Sequence, residues 1–394
     1  MADAGATALL RHLTAAGAAN GLVALIFAAT GPVAIILAAA DKGGLGEREI
    51  ASWLFGAFCL NGVLSIGFSL HTRQPLVFLW TMPGTVLVGQ ALTHMTLPEA
   101  VGAFIATGLL MLALGAAGLV QRAMALVPAP VVMAMVAGVF LQFGLDWVRA
   151  FAQDLWIAAS MTVVYLALLA YPAAARALPP MIATLAVGIG AAWWSGALPS
   201  VQPLSLALSP PLLIMPVLSW RALVELVLPL AITVLVVQNG QGIGVLGLAG
   251  HKPPVDAIAA ACGAGSIAAA FVGAVPTCLA GPVSAILATN EARERQYMGG
   301  VVMGLLCIAF GVFAPIFTRI SLAAPKALIA ALAGLAMLKI LQAAFTAAFQ
   351  GRFALSALIT FLITVAGQSI LGIGAPFWGI VFGALAARLI EREA

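Results

Sequence analysis

The sequence predicts an all-α membrane protein of about fourteen transmembrane segments, arranged as a seven-plus-seven inverted repeat. The first observation is composition: of 394 residues, 63% are hydrophobic and 8% are charged, whereas soluble domains carry about 25% charged residues. The second is distribution, because apolar runs recur along the whole length between short turns rich in Gly, Pro and charge. The third is a pair of short, interrupted segments in matching positions of the two halves. Together these features leave no stretch for a soluble domain.

Each apolar run is taken as one segment, with about 20 residues for a complete span and fewer for a broken one. The predicted segments are 17–40, 51–70, 76–92, 99–120, 128–145, 155–172, 179–196, 221–246, 256–272, 276–289, 297–317, 326–348, 353–371 and 374–390. Segments three and ten are too short and too interrupted to be ordinary spanning helices. We expect short strands before them.

The middle of the chain predicts a linker. Ser195 to Trp220 reads SGALPSVQPLSLALSPPLLIMPVLSW, and each proline removes a hydrogen-bond donor, so this stretch cannot be one continuous helix. We therefore predict a first repeat at 1–196, a linker at 197–220 and a second repeat at 221–394. Because each half holds an odd number of segments, the second half is inverted relative to the first. Inverted repeats with paired broken segments are typical of secondary transporters that bind substrate near the bilayer midplane.

The charged loops predict the orientation in the membrane. With a cytoplasmic N-terminus, ten Lys and Arg residues fall on the cytoplasmic side and six on the other, which favours cytoplasmic N- and C-termini. The N-terminal stretch MADAGATALLRHLTAAGAANG has no compact apolar core followed by a small-residue cleavage site, so we expect no removable signal. The predicted location is a bacterial-type cytoplasmic (inner) membrane.

Charge and cysteine usage exclude several functions. The formal net charge of +4 is spread without a basic run, which argues against a nucleic-acid partner. The four cysteines lie in or beside apolar segments without metal-ligand spacing, so we expect no metal and no cofactor. A membrane-embedded enzyme would show clustered intramembrane acids, histidines or a metal set, and the sequence has none of these clusters.

The two broken segments predict the substrate site. PLVFLWTMPGTVLVG at Pro75–Gly89 and AAAFVGAVPTCLAGPVSAI at Ala268–Ile286 each join a short β-prone stretch to a Pro at a helix start. Non-helical backbone is tolerated in a membrane only where protein or a wet cavity covers it. If the helices begin near Met82–Thr85 and Pro276–Leu279, their free N–H groups point at one place and favour an anion there.

Two threonines precede or open these predicted helices. Thr81 and Thr277 would cap the helix starts or donate a hydrogen bond to the ligand. The alternative is that Pro83 and Pro276 are ordinary kinks and that the threonines bond within their own helices, since Gly and Pro are frequent in membrane helices.

Three amides interrupt segment eight in the stretch LPLAITVLVVQNGQGIGVLGLAG, Leu228 to Gly250. Gln238, Asn239 and Gln241 exceed what one helix–helix contact needs. Because residues three apart share a helix face, we predict that Gln238 and Gln241 face the substrate and that Asn239 bonds a neighbouring helix. The alternative is that all three hold helices together.

Two charged residues are candidates for proton coupling, because intramembrane charge usually marks it. Glu225 lies 13 residues before Gln238, about 20 Å along a helix, so we expect it at the outer interface, paired with Arg221. Lys339 falls near the centre of segment twelve, so either it faces a cavity there or the boundaries of that segment are misplaced. The four histidines, His12, His71, His94 and His251, map to loops or to the N-terminal segment and do not indicate a proton relay.

Three stretches resemble the benzoate:proton symporter (BenE) family: VVQNGQGIGVLGLAGHKPPVDAIAAACGAGSIAAAFVG, PTCLAGPVSAILAT and LVPAPVVMAMVAGVFLQFG. The resemblance covers essentially the full chain. More distantly, the chain is similar to nucleobase/ascorbate and sulfate-permease-type transporters. That resemblance implies a core domain of segments 1–4 and 8–11 that moves, as in an elevator, against a gate domain of segments 5–7 and 12–14.

The resemblance also implies the substrate. Gln238 stands where uracil carriers have an acidic residue on segment eight, and Pro282 falls at about their acidic position on segment ten. The loss of both carboxylates suits an anionic ligand. We therefore predict import of benzoate or a related aromatic carboxylate with a proton, with Trp80 and Met82 against the ring. The predicted substrate-binding residues are Thr30, Trp80, Thr81, Met82, Gln238, Asn239, Gln241, Thr277, Cys278, Ala280 and Gly281.

The remaining partners are membrane lipid and, as in many carriers of this type, a second copy in a homodimer. The first alternative function is a nucleobase (uracil/xanthine-type) proton symporter. A membrane-embedded enzyme and a passive anion channel are the other two.

Overall fold

A computed structural model describes residues 12–124, 126–171, 173, 178–197, 210–289, 292–368, 370–371 and 373–391. The first half of the chain forms α1 (Ala15–Ala29), α2 (Gly31–Lys42), α3 (Glu47–Phe55), α4 (Asn61–Thr72), β1 (Phe78–Trp80), α5 (Met82–Ala91), α6 (Leu97–Ala116), α7 (Val120–Met124), α8 (Ala129–Gln153), α9 (Leu155–Ala170) and α10 (Pro180–Trp194). A π-helical turn, Gly56–Leu60, joins α3 to α4.

The second half forms α11 (Trp220–Ile232), α12 (Gly240–Leu248), α13 (Val255–Ala270), β2 (Thr277–Leu279), α14 (Gly281–Leu287), α15 (Gln296–Val312), α16 (Ala314–Leu322), α17 (Lys326–Phe349), α18 (Ala354–Ala366) and α19 (Ala375–Leu389). A longer π-helical stretch, Thr233–Asn239, joins α11 to α12. Residues 198–209, half of the predicted linker, lie outside the described residues.

The helix lengths support a membrane protein, whereas the count of fourteen spans stays a prediction. Within the described ranges, the helical stretches long and apolar enough to cross a membrane are Ala15–Lys42, Glu47–Thr72, Leu97–Ala116, Ala129–Gln153, Trp220–Leu248 and Lys326–Phe349. α15 and α16, bent by 64° at their junction, would make one more. The remaining apolar helices of α9, α10, α13, α18 and α19 are shorter, with 10–17 residues.

Two helices are broken where the sequence places proline. α1 ends at Ala29 and is capped by Thr30, two residues before Pro32; the Thr30 hydroxyl donates to the Ile26 and Phe27 carbonyls at 2.9 and 3.1 Å. In α11, Pro229 lies inside the helix, where its missing N–H leaves the carbonyl of Glu225 without the usual partner. The π-helical stretch begins four residues later, as expected where the regular hydrogen-bond ladder is disturbed.

The buried apolar residues form two main clusters. The larger unites α1 to α6 with α11, α13, α14 and α15, and we call these elements, with β1, β2, α12 and the π-helical stretches, the first bundle. The other is centred on α8, α9 and α17, and we call α8–α10 and α17–α19 the second bundle. Side chains of α2 and α5 reach into that second cluster and join the bundles.

The two halves of the chain are interleaved within each bundle. In the first bundle α13 packs along α6 and α15 packs along α4, and in the second α17 packs along α8. Each of these pairs joins one helix from the first half to one from the second. The predicted repeats, 1–196 and 221–394, therefore do not form separate bodies in space.

Close packing of α6 and α13 depends on glycine. A Cβ on Gly263 would lie 2.5 Å from the Leu112 nitrogen and 2.6 Å from the Gly108 oxygen. Both are backbone atoms, which cannot turn away as a side chain can. We expect Gly263→Ala to lower the free energy of unfolding by about 1–3 kcal/mol, the usual cost of overpacking.

The measurement is the thermal stability of purified protein in detergent. The matched control is Gly244→Ala, since a Cβ there meets nothing within 4 Å, and replacing an open helical glycine by alanine is neutral or stabilising by up to about 1 kcal/mol. Equal stability of the two variants would contradict the proposed close contact.

Candidate substrate-binding site

Two short strands meet inside the first bundle. β1 and β2 pair antiparallel, with Phe78 opposite Leu279, Leu79 opposite Cys278 and Trp80 opposite Thr277. The ladder continues at both ends, because the Thr81 N–H donates to the Pro276 carbonyl at 3.0 Å and the Ala280 N–H donates to the Val77 carbonyl at 2.9 Å. The strands thus satisfy each other's backbone at a depth where water is scarce, as a membrane interior requires.

A helix leaves the end of each strand. α5 begins at Met82 with Thr81 as its cap, whose hydroxyl accepts from the Gly84 N–H at 3.2 Å. α14 begins at Gly281, and its N-cap residue Ala280 offers no side-chain cap. Because the strands are antiparallel, the two helix starts lie at opposite ends of a three-residue ladder, about 10 Å apart.

The expected start of the second helix was wrong. We predicted it near Pro276–Leu279, whereas these residues precede and form β2 and the helix begins at Gly281. Residues 277–279 form a strand and not the first turn of the helix because their backbone groups pair with β1. Thr277 therefore caps no helix: its hydroxyl donates to the Asn61 Oδ1 at 2.8 Å, and its N–H donates to the Ser266 hydroxyl at 2.9 Å.

Asn239 fixes the other end of β2. Its Oδ1 accepts from the Leu279 N–H at 2.8 Å, and its side chain also contacts the Cys262 thiol at 3.5 Å. It lies at the last position of the π-helical stretch, which brings its amide to the strand edge. Asn239 thus bonds neighbouring elements, β2 and α13, as a positioning residue would.

A small cavity lies beside the strand pair. Its volume is about 20 Å³, room for about one water molecule. Five of the predicted substrate-binding residues line it: Trp80, Met82, Gln238, Cys278 and Ala280. The sequence analysis did not select the other apolar positions in the wall, which are Phe27, Ala28, Pro32, Leu79 and Val283, and it named Pro282 only as an aligned position.

Two polar groups in this wall have no partner. The Trp80 Nε1–H is buried without a hydrogen bond. The Gln238 side chain is 3% exposed, and among the described residues it makes no hydrogen bond. Buried polar groups are nearly always hydrogen-bonded in folded proteins. The unsatisfied Trp80 Nε1–H therefore indicates a place beside this cavity where a polar ligand or water would complete the bonding.

The other predicted site residues lie around the cavity without lining it. Thr30 is bonded within α1 and lines a separate apolar cavity. The Thr81 hydroxyl already caps α5 and donates to the Thr233 hydroxyl at 3.3 Å. Gln241 is exposed. Its side chain lies against Gly281, since a Cβ built on Gly281 would be 2.8 Å from the Gln241 Cγ.

The candidates for proton coupling lie elsewhere. Lys339 lies in the middle of α17 with an exposed side chain. It lines neither the cavity beside the strand pair nor the apolar cavity beside Thr30. Glu225 lies near the start of α11, and the expected contact with Arg221 is confirmed at 4.0 Å. Sequence reasoning missed a closer partner, His94, at 3.0 Å, because the two residues are far apart in the chain.

Solved structures with this fold are membrane transporters. The transmembrane domain of the cyanobacterial bicarbonate transporter BicA matches with a TM-score of 0.63 at 14% identity, covering 95% of this chain and 97% of that one. SLC26A9 matches with a TM-score of 0.65 at 14% identity, covering 94% of this chain and 64% of that one. The chain therefore has a fold like that of SLC26 and BicA-type transporters.

Sequence comparison gives the family. Residues 12–389 match the BenE family, described as benzoate membrane transport protein. The benzoate membrane transport protein of Acinetobacter baylyi is 31% identical over 373 residues, 93% of each chain. The inner membrane protein YdcO of Escherichia coli is 29% identical over 372 residues, covering 92% of this chain and 93% of that one. The chain belongs to the BenE family, and it is a membrane transporter and not an enzyme.

The anchoring of β2 can be tested at the amide run. We expect Asn239→Ala to lower the free energy of unfolding by about 1–3 kcal/mol, because the buried Leu279 N–H loses its acceptor. The measurement is thermal stability in detergent. The control is Gln241→Ala, an exposed amide two residues away, which should stay within about 0.5 kcal/mol of the wild type. A stable Asn239→Ala protein would mean that β2 does not depend on this bond.

Proposed function

We propose that this chain imports benzoate or a related aromatic carboxylate in symport with protons. The observation that carries the proposal is a buried cavity lined by Trp80, whose Nε1–H has no hydrogen-bond partner among the described residues, and by the buried Gln238. Both can donate to a carboxylate, which has only acceptor oxygens. The similarity to the benzoate membrane transport protein of A. baylyi supports the same substrate class.

The composition of the cavity wall favours an aromatic anion. Phe27, Leu79 and Met82 offer apolar surface to a ring, and the described residues of the wall include no Asp or Glu. A carboxylate in the wall would repel an anionic ligand and would suit the donor edge of a nucleobase.

The size of the cavity supports an alternating-access cycle. A volume of about 20 Å³ is too small for a benzene ring, so the walls must separate for binding. All lining residues belong to the first bundle, while Met82 also packs into the cluster of the second. We propose that the first bundle carries the site as a unit against the second bundle. We propose that the first bundle is the core domain and the second bundle the gate domain.

The proposed setting follows from the charged loops. The protein lies in the cytoplasmic (inner) membrane with both termini cytoplasmic, so that α11 begins on the outer side. A proton entering with each carboxylate offsets the negative charge that the substrate carries. A homodimer, as proposed from the resemblance, would give each copy its own site.

The first test is binding of radiolabelled benzoate to purified protein at several pH values. We expect saturable binding that unlabelled benzoate competes and uracil does not. Trp80→Phe removes only the indole N–H donor, and Gln238→Ala removes the amide. Each should weaken affinity about tenfold or more, since a hydrogen bond to a charged group contributes about 1.5–3 kcal/mol.

The matched control is Gln241→Ala, because this amide does not line the cavity; it should weaken affinity less than Gln238→Ala. Competition by uracil but not by benzoate would favour a nucleobase symporter. Wild-type affinity in both Trp80→Phe and Gln238→Ala would mean that the carboxylate binds elsewhere.

The second test is uptake into proteoliposomes. We expect benzoate accumulation when the outside is more acidic than the inside, and loss of accumulation when a protonophore collapses the gradient, because symport uses the proton's downhill movement. Protein-free liposomes correct for passive entry of benzoic acid. Accumulation that is unchanged by the protonophore would contradict proton symport, and currents far above carrier rates would indicate a channel.

A further inference from the structure

A second cavity lies between the two bundles, away from the strand pair. Its volume is about 380 Å³, and we call it the Glu225 vestibule. On the first bundle it is lined by Lys42, His94 and Glu225, and on the second by Gln142 and Gly374. Lys42 ends α2, His94 follows α5, Glu225 lies near the start of α11 and Gly374 caps α19, whereas Gln142 lies in the middle of α8.

Glu225 and His94 form an acid–imidazole pair on the first-bundle wall. The His94 Nε2 lies 3.0 and 3.2 Å from the two carboxylate oxygens of Glu225. Glu225 is 7% exposed, while His94 is 28% exposed. An acidic residue within a membrane helix is costly, so such residues usually serve a function with a defined partner. Imidazole exchanges protons readily at physiological pH.

Other charged side chains lie around the pair. On the same helix the Arg221 Nε lies 4.0 Å from Glu225, and its side chain is 42% exposed. Lys42 of α2 lines the vestibule. The nearby acid of α6, Glu99, is engaged in its own helix cap, where it accepts from the Thr96 N–H at 2.8 Å. On the second bundle the facing groups are the Gln142 and Thr364 side chains and the start of α19.

The Glu225 carboxylate also touches the second bundle. A Cβ on Gly374 would lie 2.6 Å from the Glu225 Oε1, so the carboxylate rests against the glycine backbone. Gly374 is the N-cap of α19, where the helix carries a partial positive charge that attracts an anion. The contact therefore joins the bundles by the negative charge of a group that can be protonated.

We propose that the Glu225–His94 pair is a proton-controlled contact that positions the first bundle against the start of α19. A proton from the water of the vestibule binds to the pair and changes its net charge from −1 to zero, whichever residue carries it. The attraction to α19 falls, and the bundles separate at this end. Loss of the proton restores the contact. With α11 beginning on the outer side, external acid would favour the opening that import needs.

This inference rests on the proposed function, and the experiment separates the two. The initial rate of benzoate uptake is measured against external pH at fixed internal pH, over a range in which benzoate stays ionised. We expect the wild-type rate to rise as external pH falls, by up to about tenfold per pH unit, the limit for a one-proton step. Glu225→Gln removes the carboxylate charge at every pH. The uptake rate of this variant should therefore change less than about twofold over the same pH range.

Two further variants keep the test decisive. Gly374→Ala retains Glu225 but places a methyl group against its carboxylate, and it should flatten the pH profile as Glu225→Gln does. Glu49→Gln is the matched control, a carboxylate that accepts from the Gly46 N–H at the start of its own helix and does not line the vestibule, and it should keep the wild-type profile. Benzoate affinity should change less than about twofold in Glu225→Gln, because Glu225 does not line the substrate cavity.

The outcomes distinguish the two ideas. A wild type that neither binds nor takes up benzoate would overturn the proposed function. Wild-type uptake that rises in acid, together with an unchanged profile in Glu225→Gln and Gly374→Ala, would overturn the Glu225–His94 contact while leaving the proposed function standing. A flat wild-type profile with normal benzoate binding would also overturn it.

Discussion

The structure depends on satisfying non-helical backbone deep in an apolar protein. β1 and β2 pair with each other through backbone hydrogen bonds, and the Asn239 Oδ1 accepts a hydrogen bond from the Leu279 N–H. Thr277 is then held in place because its hydroxyl donates to the Asn61 side chain and its N–H donates to the Ser266 hydroxyl. Because water cannot replace these bonds in the bilayer, the strand pair is fixed within the first bundle. The helix starts and the cavity beside it are fixed as a consequence.

This constraint separates two kinds of polar residue that look alike in sequence. Asn239, Thr81 and Thr277 are occupied by backbone or side-chain partners and give the site its shape. Gln238 and Trp80 present groups with no partner in the described structure at the same cavity. The second kind is available to a ligand. A rigid wall with a few open donors suits recognition of a carboxylate, and movement of the whole bundle would make the site accessible without dismantling it.

The sequence predicted much of this arrangement because its signals are strong and local. Pro83 and Pro276 marked the two broken segments, and the regions expected to be β-prone contain β1 and β2. What it missed depends on long-range contacts. The start of α14 shifted to Gly281 because strand pairing overrode the helix signal of Pro276. The His94–Glu225 pair joins residues 131 positions apart, and neither residue's neighbours in sequence indicate the other.

The central claim is that an aromatic carboxylate binds beside the β1–β2 pair. The most direct measurement is a crystal structure with 4-bromobenzoate, in which anomalous scattering locates the bromine atom. The account predicts one dominant peak against the apolar wall formed by Phe27, Leu79 and Met82, with the carboxylate within hydrogen-bond distance of the Trp80 Nε1 or the Gln238 amide. A dominant peak in the Glu225 vestibule, or in the apolar cavity beside Thr30, with the strand-pair cavity still closed, would contradict it.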